Sequence, residues 1–191
     1  MNTQVTLPVC AAATVVMLLG ACGSTASPSG SVSASASPSA NAFASAKFST
    51  VVPVAWSDAT GNQTAVGSIN AGGQVLMLLL YANSPSLNEH IDVSLSAQPV
   101  PQDQLAGYLQ SVSRGGATNL SQPQSFNLDG ETGIFITYNL ASTGGTVLKA
   151  QDMVINHNSD TYDIVLNTAQ ADFTLQAAAL QEVLAHWKWT G

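Results

Sequence analysis

Three histidines are the residues best suited to acid–base or metal chemistry, and their spacing supplies neither. Glu89 and His90 are adjacent rather than one helical turn apart, so they lack the spacing of a metalloprotease helix. Asp152 and His157 stand five apart on a stretch that reads as a strand, which puts them on opposite faces. His186 falls near the end of a predicted helix, where a cation suits the helix dipole. The carboxylates are scattered. Asp129 with Glu131, and Asp160 with Asp163, bracket turns, and a calcium loop needs denser oxygen ligands. No G-x-S-x-G elbow occurs and no S-x-x-K set. Gly72-Gly73, Gly115-Gly116 and Gly144-Gly145 are isolated pairs that turns explain better than a phosphate cradle does. The residues therefore predict no metal, no cofactor and a non-catalytic protein. Serine triads are defined by geometry rather than spacing, which keeps open one alternative, an enzyme acting on envelope lipids or glycans.

The aromatic residues are more suggestive. Trp56 stands alone, whereas Trp187 and Trp189 form the run "WKW". Two residues apart on a helix do not share a face, so both can point inward only if the helix ends there. One reading places Trp187 in the core and Trp189 over a sheet edge. The other makes Trp56, Trp187 and Trp189 candidate ligand-binding residues lining an apolar cleft.

Cys22 carries a different chemistry. Leu7 to Ala21 is almost wholly apolar or small, about the length of a secretory h-region and short of the ~20 residues of a bilayer span. Leu19-Gly20-Ala21-Cys22 resembles a bacterial lipobox, where the leader is cut before the cysteine and the sulfur takes a diacylglycerol. The n-region departs from the pattern, having no Lys or Arg. Residues 1–21 are thus expected to be a leader and Cys22 the site of lipidation. Cys10 would leave with the leader, so the mature chain would hold no disulfide and no thiolate metal site. Residues 22–46 are nearly all Ser, Ala, Pro, Gly, Thr and Asn, with Phe43 the one bulky side chain. Such a tract cannot bury enough apolar surface to order itself and reads as a tether of roughly 25–30 Å.

The charge balance limits the partners. Four Lys and Arg stand against 11 Asp and Glu, a net charge of −7, and none precedes Lys47. Four scattered basic residues cannot neutralise a phosphate backbone or form a polybasic membrane patch, so nucleic acid is excluded as a partner. The bilayer would be held through the lipid on Cys22, on the extracytoplasmic face. The domain itself would meet a lipid, a glycolipid or an envelope protein.

Residues 47–191 must supply the elements that position these groups. Lys47–Val54 reads as a strand, Gln63–Ile69 as a short strand and Asn70–Gly73 as a turn. Gln74–Ala82 is a continuous apolar run suited to a buried strand. In the following stretch Ile91, Val93 and Leu95 alternate with Asp92, Ser94 and Ser96, predicting one buried and one wet face. Leu105, Leu109 and Val112, with Tyr108 alongside, predict a helix over Gln102–Ser113, ended by Arg114 and Gly115-Gly116. Asp129-Gly130 and Asn158-Ser159-Asp160 mark two hairpins among the later strands. Leu180, Val183, Leu184 and Trp187, extended by Phe173 and Ala177, form the stripe of a C-terminal helix. That stripe and the run Val75–Leu80 should face each other, and imperfect packing between them would leave a dry slot for an acyl chain. Strands joined by hairpins, with helices between, give an α+β domain.

The runs "FNLDGETGIFITYNL", "DMVINHNSDTYDIVLNT" and "LQEVLAHWKW", with "VVPVAW" near the start, resemble the LpqN/LpqT-type actinobacterial lipoproteins of the PsbP-like group. Ala55 stands where a glycine is frequent in that group. The resemblance covers about Lys47 to Trp189 and implies an α/β/α sandwich with a central, mainly antiparallel sheet flanked by helices. It also implies an accessory or binding role with no shared active site, so no catalytic residue carries over.

Overall fold

The computed structural model describes residues 41–69, 71–84, 87–112, 115–141 and 145–191. The leader, Cys22 and most of the expected tether lie outside the described residues, as do Asn70, Arg114 and Gly144. The chain runs β1 (Asn41–Ala44), β2 (Phe48–Val52), β3 (Trp56–Asp58), α1 (Gln63–Ser68), β4 (Gly73–Tyr81) and β5 (His90–Ser96). A 3-10 turn at Gln102–Gln104 leads into α2 (Leu105–Val112). There follow β6 (Gln124–Leu128), β7 (Glu131–Ala141), β8 (Val147–His157), β9 (Asp160–Ala169), α3 (Phe173–Ala185) and β10 (Lys188–Trp189).

Seven strands form the central sheet in the order β3-β4-β5-β9-β8-β7-β6, and β1, β2 and β10 form a small second sheet. Every pairing is antiparallel. Two hairpins fix the register as their turn residues require. Asp129 and Gly130 have φ of 46° and 95°, and Asn158 and Ser159 have φ of 47° and 68°. A pair of left-handed residues matches the twist of the flanking strands, so Leu128 meets Glu131 and His157 meets Asp160 directly.

Alternation along the strands sorts the sheet into two faces. Ile91, Val93, Met153, Ile155, Ile164 and Leu166 point to one side, where they pack with Leu180 and Val183 of α3, Phe48 of β2 and Trp187. Ala150 and Val154 of β8 point to the other, against Ile136, Tyr138 and the α2 residues Leu105 and Leu109. The continuous apolar run of β4 follows from this. Met77 and Leu79 belong to the α3 side, while Leu78, opposite Asp92 in the ladder, belongs to the α2 side, and all three are fully buried.

The structure corrects several expectations. Gln63–Ser68 is a helix, not a strand. Asn62 caps it by accepting a hydrogen bond from the Ala65 amide at 3.1 Å, which outweighs the β-branched residues Thr64 and Val66. Residues placed in the expected tether are ordered: Asn41–Ala44 form β1, and Phe43 packs on Phe48 with ring centroids 5.8 Å apart. The face of β5 expected to be wet is buried at Asp92 and Ser94, because the segment after α1, with Ile69, Ala71 and Gly72, lies over that side of the sheet. The C-terminal helix stops at Ala185, so Trp187 lies beyond it.

Candidate functional site

The three tryptophans are structural in placement. Trp187 is 1 % exposed and stacks on Phe48 at 3.9 Å between ring centroids. Trp56 is buried and leans on Tyr81. Trp189, on β10, is half-buried and stacks on His157 at 4.3 Å, and its backbone N–H donates to Asp129. The end of α3 at Ala185 is what lets Trp187 and Trp189 both turn inward. None of the three lines a described cavity. Met77 and Leu79 share one core with the α3 stripe, as the sequence suggests, and Trp187 is buried in the same core. At the β6 edge of the same helix a cleft of about 340 Å³ remains, between Phe126, Phe135, Met153, Gln181 and Leu184.

The polar chemistry lies on the opposite face of the sheet, under α2. His90 and Asp92 of β5, Asp152 of β8, and Asp163 and Asn167 of β9 all point to it, because each occupies the same phase of the alternation. With Ser94, Tyr138 and the apolar Ile69, Leu140, Ala150 and Val165 they line a cavity of about 230 Å³. Asp92, Asp152 and Asp163 are 4 %, 3 % and 6 % exposed. Tyr138 donates its hydroxyl hydrogen to Asp152 Oδ2 at 3.3 Å. His90 lies 3.4 Å from Asp92 Oδ1 through Nε2, while its Nδ1 meets the Leu87 carbonyl at 2.7 Å. The His90–Asp92 contact is an ion pair when the ring is protonated.

Three carboxylates held this close in low dielectric cannot all ionise. Burial pushes Asp152 up to about 6, an effect that hydrogen bonds from Asp163 and Tyr138 oppose and the Asp92 charge reinforces. Burial raises Asp163 well above the usual carboxylate range, and the adjoining Asp152 adds to it. The pair therefore shares a proton, with Asp163 the donor. Burial and the Asp152 charge also hold Tyr138 in its neutral form. Asp152 Oδ1, Asp163 Oδ1 and Asn167 Oδ1 have no other hydrogen-bond partner.

A second, larger hollow lies beside this chamber. It is a groove of about 790 Å³ between α2 and the segment from Ser96 to Pro101, with Gly107, Tyr108 and Ser111 on its helical side. Gly72 borders both groove and chamber, and the Tyr108 hydroxyl, 3.2 Å from that of Ser96, stands at their boundary. Gly107 sits inside α2 and a Cβ there would meet nothing within 4 Å, so close packing does not require glycine at this position. Elsewhere, His157 is paired with Glu131 at 3.1 Å and His186 Nδ1 meets the Glu182 carbonyl, both structural roles. The acidic chamber was hidden in sequence because its members come from three strands. The available signal was an Asp beside an apolar run in each of "DMVIN" and "YDIVLN".

No protein-family model matches the sequence. No curated protein matches it either. Its fold is similar to that of LpqN, involved in cell envelope biogenesis of Mycobacterium tuberculosis, with a TM-score of 0.56 and 9 % identity over 82 % of this chain and 88 % of that one. It is also similar to cyanobacterial PsbP (CyanoP) from Synechocystis sp. PCC 6803, with a TM-score of 0.53 and 14 % identity over 85 % of this chain and 99 % of that one. The fold is thus α+β and PsbP-like, with the mainly antiparallel sheet that the sequence implies.

Proposed function

We propose that this chain is a cell-envelope lipoprotein, tethered through Cys22, whose PsbP-like domain is a non-catalytic binding module with its site along α2. The observation that carries the reading is the groove of about 790 Å³ between α2 and Ser96–Pro101. Its size is that of small-molecule sites generally, and Pro99, Val100, Pro101 and Tyr108 give it an apolar lining. The likeness in fold to LpqN supports an envelope setting, and the lipobox supports the anchor. The occupant is an amphiphile, a lipid or glycolipid presented by the envelope, with apolar contact supplying affinity.

The test is a nuclear magnetic resonance titration with a short-chain glycoside amphiphile below its micelle threshold. Saturable shifts at Gly107 and Tyr108 are expected, and Gly107→Trp, which fills the groove from a position with open space around it, should abolish them. Shifts at Phe126 and Leu184 instead would move the site to the cleft under α3. Shifts nowhere would leave docking on an envelope protein. A second reading, an enzyme acting on envelope lipids or glycans, draws on the proton shared by Asp152 and Asp163, a pairing that acid–base chemistry also uses. Turnover of a chromogenic glycoside or ester that is lost in Asp152→Asn would favour it over a binding module.

A further inference from the structure

The chamber beneath α2 has a charge and hydrogen-bond balance that the described residues do not close. Its polar lining is rich in acceptors: the carboxyl groups of Asp92 and Asp152, the side-chain oxygen of Asn167, and Asp163, whose own proton is already given to Asp152. The Tyr138 hydroxyl, its phenolic donor, is already used on Asp152. Among the described residues no Lys or Arg lines it. Lys47 is paired with Asp160, Lys188 with Asp129, and Lys149 sits over the Phe173 ring. Buried oxygens without a donor are costly, and Asp152 Oδ1, Asp163 Oδ1 and Asn167 Oδ1 are such atoms. Asp152 and Asp163, both more than nine-tenths buried, line the cavity itself.

We propose that this chamber is a subsite for an organic ammonium group, and that the domain's ligand is a primary amine with a hydrocarbon stem. An ammonium brings three N–H donors and one positive charge, which is what an acceptor-rich acidic pocket lacks. The acidic side chains do not converge on a common point as a metal ion demands: no group of three or more potential ligands among the described residues is placed to hold one. A compact organic cation tolerates that looser arrangement. The walls formed by Ile69, Leu140, Ala150 and Val165 suit the methylenes next to the nitrogen. Gly72, which borders both spaces, marks where the stem passes from chamber to groove, beside the Tyr108–Ser96 contact. The inference rests on reading the α2 side as a binding site, and it names the polar end of the ligand.

Ionised carboxylates are needed, so acid should weaken the site. The titratable groups facing Asp152 and Asp163 are His90 and Asp92 from β5, Tyr138 from β7 and Tyr108 from α2. Below about 6 Asp152 takes up a proton and its charge is lost.

The experiment titrates the full chain with n-butylammonium chloride and, in parallel, with n-butanol, its neutral match. At pH ~7.5 the amine should give saturable shifts at Asp92, Asp152 and Asp163 that butanol does not, and at pH ~5 its affinity should fall several-fold. Asp152→Asn should weaken amine binding by about tenfold or more, since it removes the carboxylate that is ionised above about 6. An equal response to butanol, no shift at the three aspartates, or unchanged affinity in Asp152→Asn would overturn the proposal. Should that variant fail to fold, the paired titrations and the pH arm on the unaltered chain decide. If the amine fails while the glycoside amphiphile still shifts Gly107 and Tyr108, the binding module stands and the ammonium subsite falls. Loss of both responses removes the module as well.

Discussion

A single proton separates the two states of the Asp152–Asp163 pair, and stability follows from it. Both acids hold protons in the folded chain at a pH where the unfolded chain has released them. The native state then binds more protons than the unfolded state, so stability falls as pH rises from the ordinary aspartate value of 3.8 toward about 6, where Asp152 ionises. A depressed acid would give the opposite slope. Asp163→Asn keeps the shape and a hydrogen-bond donor of the protonated acid and removes its titration. It should raise stability at neutral pH by about 1–3 kcal/mol and flatten the slope above pH ~4, since the folded state no longer has to hold a proton that the unfolded chain releases. Denaturant unfolding over a pH series measures both effects, and an unchanged slope would mean that the two carboxyls do not share a proton. Asp163 also marks the limit of sequence reading at this scale. In the chain it stands three residues from Asp160 and looks like part of a solvated turn. In the fold it lies opposite Ser94 and diagonal to Asp152, a relation that exists only after β5, β9 and β8 have paired.

At the scale of elements, what was legible is what local chemistry decides. The β8–β9 hairpin follows from Asn158-Ser159-Asp160, and Ile155 and Ile164 are buried, as alternation requires. The Asp129-Gly130 turn, the α2 stripe and the α3 stripe were legible for the same reason. The exceptions have identifiable causes. Short α1 is decided by a single Asn62 cap against β-branched residues. Strand β1 is decided by Phe43 meeting Phe48, a contact no window of Ser and Ala reveals. The buried polar face of β5 depends on the segment after α1 lying over it, which periodicity in β5 cannot report. The candidate site was less legible than the fold because the tryptophans, the most visible candidates, are packed in the core, whereas the groove is lined by residues of α2 and of Ser96–Pro101 that come together only in the fold. The hairpin gives a direct test of the turn chemistry. Ser159 sits at φ 68°, a conformation that costs a residue bearing a Cβ roughly 1–2 kcal/mol relative to glycine. Ser159→Gly should therefore stabilise the domain by about 1 kcal/mol, offset in part by the freedom glycine adds to the unfolded chain. A lower melting temperature in that variant would show that the serine contributes a contact outweighing the strain.

At the scale of the whole molecule the question is what would hold the proposed lipoprotein, whose chain is acidic, at a membrane. The chain carries −7 at neutral pH, and bilayer surfaces are themselves anionic, so electrostatics opposes adsorption. Among the described residues no helix is long and apolar enough to cross a bilayer. The large exposed apolar side chains Val54, Leu120, Val147 and Leu175 are too few to make an interfacial patch. Attachment then falls to the proposed lipid on Cys22. Acyl chains contribute about 0.8 kcal/mol per buried methylene, so one chain binds reversibly and two or three hold firmly. Asn41, the first described residue, lies 19 residues after Cys22. Cys22→Ala should leave the unfolding transition and amphiphile binding at Gly107 unchanged while moving the protein from the membrane fraction to the soluble or unprocessed pool. Detergent partitioning and intact mass together check it. The wild-type chain should begin at Cys22 and carry the mass of a diacylglyceryl group, and the variant should carry neither mark. A mature terminus elsewhere with no acyl mass, or a variant that partitions into detergent as the wild type does, would sever the domain from its proposed lipid anchor.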